Sequence, residues 1–229
     1  MPKALVILLA LVASGCAMLQ HPASVVDRVS ASVIRVTSHD AWGEGTCSGF
    51  VIAPQRVMTA AHCIADKMLA DGKDAVVVKV DKHYDLALLR VDKLLKPSIT
   101  LRDRPVERFE GLIAIGYGYG WTRLSVLEVQ AFLINNAVEE DGAVGIIVQG
   151  SYIGGMSGGP VVDKSGLVVG IVQRSSTTIG YGVGTLFMHA FLLGTDTNVS
   201  GRNSEQTNRS LSNVVPIPFH PYGRHHHVD

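Results

Sequence analysis

Charge, cysteine and long apolar runs are all scarce in this chain. Only 17% of its 229 residues are charged, and Lys+Arg 20 balance Asp+Glu 20, so the formal net charge is zero. No overall basic field therefore favours nucleic acid or an anionic membrane as partner, and no run of like charge supplies a local one. Aromatic residues make up 6%. Trp42 and Trp121 read as packing or cleft-lining residues, since a nucleic-acid stacking platform needs a basic patch beside it. The apolar run at residues 4–12 is too short to span a bilayer comfortably. The glycines of GYGYG (116–120) lack the G-x-G-x-x-G spacing and a βαβ setting, which excludes a dinucleotide loop. His225, His226 and His227 are consecutive on a polar tail and do not converge; with no other ligand cluster evident, neither metal nor cofactor is expected. No internal repeat is visible.

The 47% of hydrophobic residues is enough for one sizeable core or two small ones. The start, MPKALVILLALVASGC, joins Lys3 to an apolar run and small residues before Cys16, the pattern of an export signal. The ending ASGC resembles a bacterial lipobox, which implies cleavage before Cys16, its acylation and a membrane anchor. The other two cysteines, Cys47 and Cys63, form an even pair, as suits an exported protein.

Residues 17–27 read as a spacer. Short runs rich in Val and Ile follow, among them SASVIRVTS, SGFVIA, DAVVVKV, DLALLRV, GLIAIG and GLVVGIVQR, punctuated by Gly, Asp and Pro. They predict an all-β barrel or sandwich. The polar stretch 101–111 suits a junction between two halves, TLFMHAFLL (185–193) a short helix or last strand, and 195–229 a mobile tail.

The stretch GGMSGGPVV (154–162) crowds four glycines around Ser157 before a strand-like run. Locally this is a turn, and serine is an ordinary turn residue. Acyl transfer by a serine also needs a base, a carboxylate to hold the protonated imidazole, and donors for the oxyanion. His62 in TAAHC and Asp85 before LALLRVD are candidates. Each has a plain alternative, a buried core histidine and a turn-capping aspartate. Asp81 is a rival for Asp85, and His83 reads as an exposed loop residue.

CSGFVIAPQRVMTAAHC resembles the segment of trypsin-like proteases that runs between two cysteines to the catalytic histidine, and GMSGGP resembles their GDSGGP. VGIVQRSST resembles one wall of their substrate cleft. VVVKVDKHYDLALLRVD and LIAIGYGYG are most similar to bacterial HtrA-type proteases, over roughly residues 30–193. The resemblance implies an all-β fold of two antiparallel β-barrels (28–105 and 106–194) with the active site between them, and a Cys47–Cys63 disulfide. It implies catalysis by His62, Asp85 and Ser157 in the order used by chymotrypsin, with Gly155 and Ser157 supplying the oxyanion hole. Ser151 aligns with the floor of the primary specificity pocket, and its neutrality disfavours Lys or Arg before the scissile bond. Gln173, Arg174 and Ser175 align with the cleft wall.

Met156 stands where digestive relatives carry Asp, so activation by a liberated N-terminus is not expected. The PDZ domain of HtrA proteins has no counterpart in the polar tail, so peptide-gated oligomeric regulation is not carried over. The resulting expectation is an exported, membrane-anchored serine endopeptidase acting on polypeptides. The alternative is an inactive scaffold lipoprotein, against which the complete Ser, His and Asp set argues. An esterase would place its serine on a strand-to-helix elbow, not in β surroundings.

Overall fold

The computed structural model describes residues 24–120, 122–139 and 142–194. Cys16, Trp121 and the tail with His225, His226 and His227 lie outside the described residues. The first element is a helix, α1 (Val25–Ser30), with Ser24 and Asp27 exchanging capping-box hydrogen bonds at its start. The spacer expected up to residue 27 thus overlaps a helix: the Ser-x-x-Asp pattern supplies the N-cap that composition alone does not reveal.

Six strands follow, β1 (Val33–Asp40), β2 (Gly43–Ala53), β3 (Arg56–Thr59), β4 (Lys67–Ala70), β5 (Lys73–Asp81) and β6 (Leu86–Arg90). They close into an antiparallel barrel in the order β1-β2-β3-β6-β5-β4. The second six, β7 (Gly111–Gly116), β8 (Ser125–Glu139), β9 (Gly142–Gln149), β10 (Pro160–Val162), β11 (Val168–Ser175) and β12 (Ile179–Gly184), close as β7-β8-β9-β12-β11-β10. Closure removes the unpaired edges that an open sheet of such apolar strands would expose. The two strand orders are the same, so the chain folds twice into one topology. A final helix, α2 (Thr185–Leu193), takes up the segment TLFMHAFLL. Among the described residues no helix is long and apolar enough to cross a membrane.

Three clusters of buried side chains hold this together. Barrel one is filled by Ile34, Val36, Val51, Val57 and Leu89, and barrel two by Leu112, Ala114, Val148, Val169 and Val172. A third cluster joins Phe50 and Met58 of barrel one to Val168 and Ile171 of barrel two and to Phe187 and Phe191 of α2. VVGIV in β11 is apolar throughout because both its faces are buried: Val169 and Val172 fill barrel two while Val168 and Ile171 join the shared cluster, the register shift opposite Val161 and Val162 interrupting the simple alternation. Lys79 of β5 donates to the Phe191 carbonyl near the C-terminal end of α2, where a cation suits the exposed carbonyls.

The segment linking the barrels is held by Arg102, which is only 2% exposed. Its guanidinium meets Glu110 at 2.6 Å and Asp163 at 3.1 Å and also donates to the Pro105 carbonyl. These bonds to Glu110 raise the Arg102 pKa and hold the Glu110 carboxyl below its ordinary range. Trp42 departs from expectation: it sits at the β1–β2 turn, 83% exposed, where the hairpin tip offers no core to pack against.

Candidate active site

β3 delivers the chain into a single 3₁₀ turn, Ala61–Cys63, that carries His62. The disulfide between Cys47 and Cys63, with Cα atoms 6.1 Å apart, ties this turn to β2. Asp85 ends the turn before β6 at φ 54°, in the left-handed region that aspartate enters more readily than most residues. It is 5% exposed. Its carboxylate accepts the His62 backbone N–H at 2.9 Å and lies 2.9 and 3.0 Å from the ring Nδ1. An Nδ1 facing a carboxylate carries the proton, which leaves Nε2 as the acceptor. Asp81 is occupied differently, receiving the backbone N–H groups of His83 and Tyr84 at the same turn, and His83 is exposed.

Ser157 lies between β9 and β10, in a turn built by Gly155 and Gly158. Gly155 has φ 92°, and a β-carbon there would stand 2.4 Å from the Tyr117 carbonyl; at Gly158, φ is 82° and a β-carbon would stand 2.2 Å from the Ser48 carbonyl. Only glycine fits either position. Met156 between them is fully buried in the core of barrel two and anchors the turn from beneath. A carboxylate in its place would need a buried cation, so an apolar residue needs no activating partner here.

The turn presents two backbone donors. The Gly154 carbonyl accepts from the Tyr119 N–H, and the Met156 carbonyl accepts from the Gly159 N–H at 2.9 Å. Across a trans peptide the N–H points opposite to the carbonyl, so these bonds fix the directions of the Gly155 and Ser157 N–H groups. Among the described residues neither N–H is paired with a backbone carbonyl.

The turns that carry His62 and Ser157 approach each other at the disulfide. A His62 ring nitrogen lies within 4.8 Å of the bridge sulfurs, and the Cys63 sulfur is 3.9 Å from the Ser157 carbonyl. The Ser157 hydroxyl itself donates to the Gln173 carbonyl at 3.1 Å. Cys47, His62 and Cys63 have the spacing of metal ligands, but the two sulfurs are joined to each other and offer no thiolate.

Of the expected cleft wall, Gln173 is buried, and its side-chain oxygen accepts from Arg174, whose guanidinium lies 4.8 Å from the Tyr181 ring centroid. Ser175 donates to the Tyr152 carbonyl at 3.0 Å, and its hydroxyl is 3.3 Å from that of Ser151. Ser151 is exposed. The next residue, Tyr152, is the enclosed one: its ring would touch a β-carbon at Gly180, and burial pushes its phenol well above the ordinary value. Chain alternation turns residue 152 inward when 151 faces out.

Two participants escaped the sequence reading, Tyr152 and Ser48. Ser48 is fully buried. Its N–H donates to the Ser157 carbonyl at 2.8 Å and its hydroxyl to the Gly155 carbonyl at 2.9 Å. The available signal was a polar residue within the otherwise apolar run SGFVIA.

The trypsin-like peptidase domain family matches residues 47–171 of the chain. Serine protease Rv3671c of Mycobacterium tuberculosis is 31% identical over 142 residues, which are 56% of this chain and 35% of that protein. A probable periplasmic serine endoprotease, DegP-like, of Halomonas elongata is 31% identical over 181 residues, 75% of this chain and 38% of that protein. The chain thus spans little more than a third of the length of these relatives. Among solved structures, the active form of the Rv3671c protease shares the fold with a TM-score of 0.69 at 24% identity, over 77% of this chain and 86% of that one. The HtrA-type protease AlgW with a tripeptide does so with a TM-score of 0.63 at 22% identity, over 75% and 64%.

Proposed function

Because the chain belongs to the trypsin-like peptidase family, we propose that it is a serine endopeptidase that cleaves polypeptides through an acyl-enzyme. The observation that carries this reading is the Asp85–His62 pair, both ring and backbone of the histidine held by one buried carboxylate beside the Ser157 turn. In the proposed reaction the Ser157 Oγ attacks the scissile carbonyl carbon and His62 Nε2 takes its proton. Asp85 steadies the imidazolium through Nδ1–H, and the Gly155 and Ser157 N–H groups receive the oxyanion. Collapse of the tetrahedral intermediate passes the proton from His62 to the leaving amine. Water then repeats the sequence on the acyl-enzyme and releases the second product.

The hydroxyl's bond to the Gln173 carbonyl is the contact of the resting site, and a change of χ1 rotamer releases it. A fluorophosphonate probe tests the reading. Peptide mapping should find the label on Ser157, and Ser157→Ala should abolish peptide hydrolysis in a folded protein. His62→Ala should lose about as much, since residues acting as a unit are strongly non-additive. Undiminished cleavage by either variant defeats the assignment. A folded parent that neither reacts nor cleaves favours the scaffold.

The neutral Ser151 and Ser175 hydroxyls and the enclosed Tyr152 support a preference for small or medium uncharged residues before the scissile bond; acidic ones aided by Arg174 are the second choice. A peptide-library profile dominated by Lys or Arg at that position would contradict it.

Export and anchoring through an acylated Cys16 complete the proposal. The signal-like start supports export, and so does a disulfide that persists in an oxidising compartment. The DegP-like relative is named as periplasmic. Cys16→Ser should move the protein from the membrane fraction to the soluble one; unchanged partitioning, with no acyl mass on the parent N-terminal peptide, excludes the anchor.

A further inference from the structure

Ser48 belongs to barrel one by sequence, yet its N–H and its hydroxyl are both engaged at the junction with barrel two. Its N–H donates to the Ser157 carbonyl at 2.8 Å. Its carbonyl accepts from the Thr59 hydroxyl at 2.7 Å. Its hydroxyl donates to the Gly155 carbonyl at 2.9 Å and accepts the Tyr117 N–H at 2.8 Å. A serine hydroxyl has one hydrogen to give, and here it goes to the residue that carries an oxyanion donor.

Resting on the protease reading, we propose that the Ser48 hydroxyl is the positioning group of the oxyanion hole. The Gly154–Gly155 peptide is aimed by the Tyr119 N–H on the Gly154 carbonyl. The following peptide is held by Ser48 on the Gly155 carbonyl and by the Ile153 carbonyl on the Met156 N–H. Tyr117 and Tyr119 belong to one turn after β7, and Ser48 grips that turn through the Tyr117 N–H. One hydroxyl therefore joins the turn that aims the Gly155 N–H to the residue that bears it. Glycine has no side chain to hold its peptide in place, so a residue at φ 92° depends on its neighbours for orientation. Without the hydroxyl, the Gly155 carbonyl and the Tyr117 N–H lose their partner at a part-buried junction, and rotation of the peptide is the route by which they regain one.

An oxyanion donor acts on the tetrahedral species and not on bound substrate, so its misalignment is read in kcat and leaves KM alone. Ser48→Ala is assayed on the best peptide from the library, beside Ser157→Ala and the parent, with a peptidyl boronate and the product peptide as ligands. A folded Ser48→Ala should lose kcat by about 10- to 100-fold, short of the roughly 10²- to 10³-fold of a deleted donor. KM should stay within about twofold. Boronate affinity should fall with kcat, whereas product affinity holds. Ser48→Gly, which removes the same hydroxyl and leaves the backbone bonds to Ser157 and Thr59, supplies the measurement if Ser48→Ala does not fold. Unchanged kcat, or a loss shared by KM and product binding, overturns the positioning role while Ser157→Ala remains dead. Activity retained by Ser157→Ala overturns the protease reading itself.

Discussion

Asp85 is held in the left-handed region by its turn and is nearly excluded from solvent, and both constraints serve one imidazole. Replacing it with Asn keeps the shape but offers an amide where the carboxylate accepted Nδ1–H, so the ring is no longer fixed in the tautomer that frees Nε2. Asp85→Asn should lower kcat by about 10⁴-fold at neutral pH; a loss under tenfold would show that the histidine orients itself. Met156 makes the complementary case for packing. Truncation to Ala hollows the core of barrel two beneath the nucleophile, and should cost about 2–5 kcal/mol in urea unfolding. A destabilisation below about 1 kcal/mol would mean that the turn closes over the gap. The proposed triad could be nominated from the sequence because His62, Asp85 and Ser157 sit in motifs whose residue types the chemistry restricts. Ser48 and Tyr152 were not, because their parts depend on distant partners: Gly155 is 107 positions from Ser48 in the chain.

Strands declared themselves where they carried Val and Ile and hid where they did not. β4 is four residues, KMLA, too short to establish a period, and β12 is IGYGVG, half of it glycine, which reads as turn punctuation. β12 is glycine-rich for a reason found across the sheet: a β-carbon at Gly180 would meet the Tyr152 ring at 2.7 Å. The identical strand order of the barrels was likewise invisible, since topology follows from pairing and leaves no periodic residue pattern. The disulfide binds the histidine turn to β2 and closes a short loop. Its removal by Cys47→Ala with Cys63→Ala should cost about 3 kcal/mol on the chain-entropy account, measured by chemical unfolding. A labelling experiment on the non-reduced protein should find neither Cys47 nor Cys63 as a free thiol; two reactive thiols would refute the bridge.

Between the barrels, the Arg102 cluster couples the linking segment to barrel two by charge. Glu110 has a folded pKa below its ordinary value, so its contribution is complete above that ordinary value, about 4.3, and is lost as pH falls through the folded one. Thermal midpoints of the parent should therefore fall relative to those of Glu110→Gln as pH drops from about 5 to 3, with the parent the more stable at pH 7. Parallel curves would show that Arg102 gains nothing from that carboxylate. The dependence of Ser157 on Ser48 also has a meaning in time. A ribosome delivers Ser48, His62 and Asp85 first, the nucleophile much later and the Gln173 wall last. The Ser157 turn receives bonds from Ser48 of barrel one, and barrel one alone lacks Ser157. On the proposed reading, a growing chain that has formed barrel one alone cannot yet cut the polypeptides around it, and competence waits for the second barrel to close against the first.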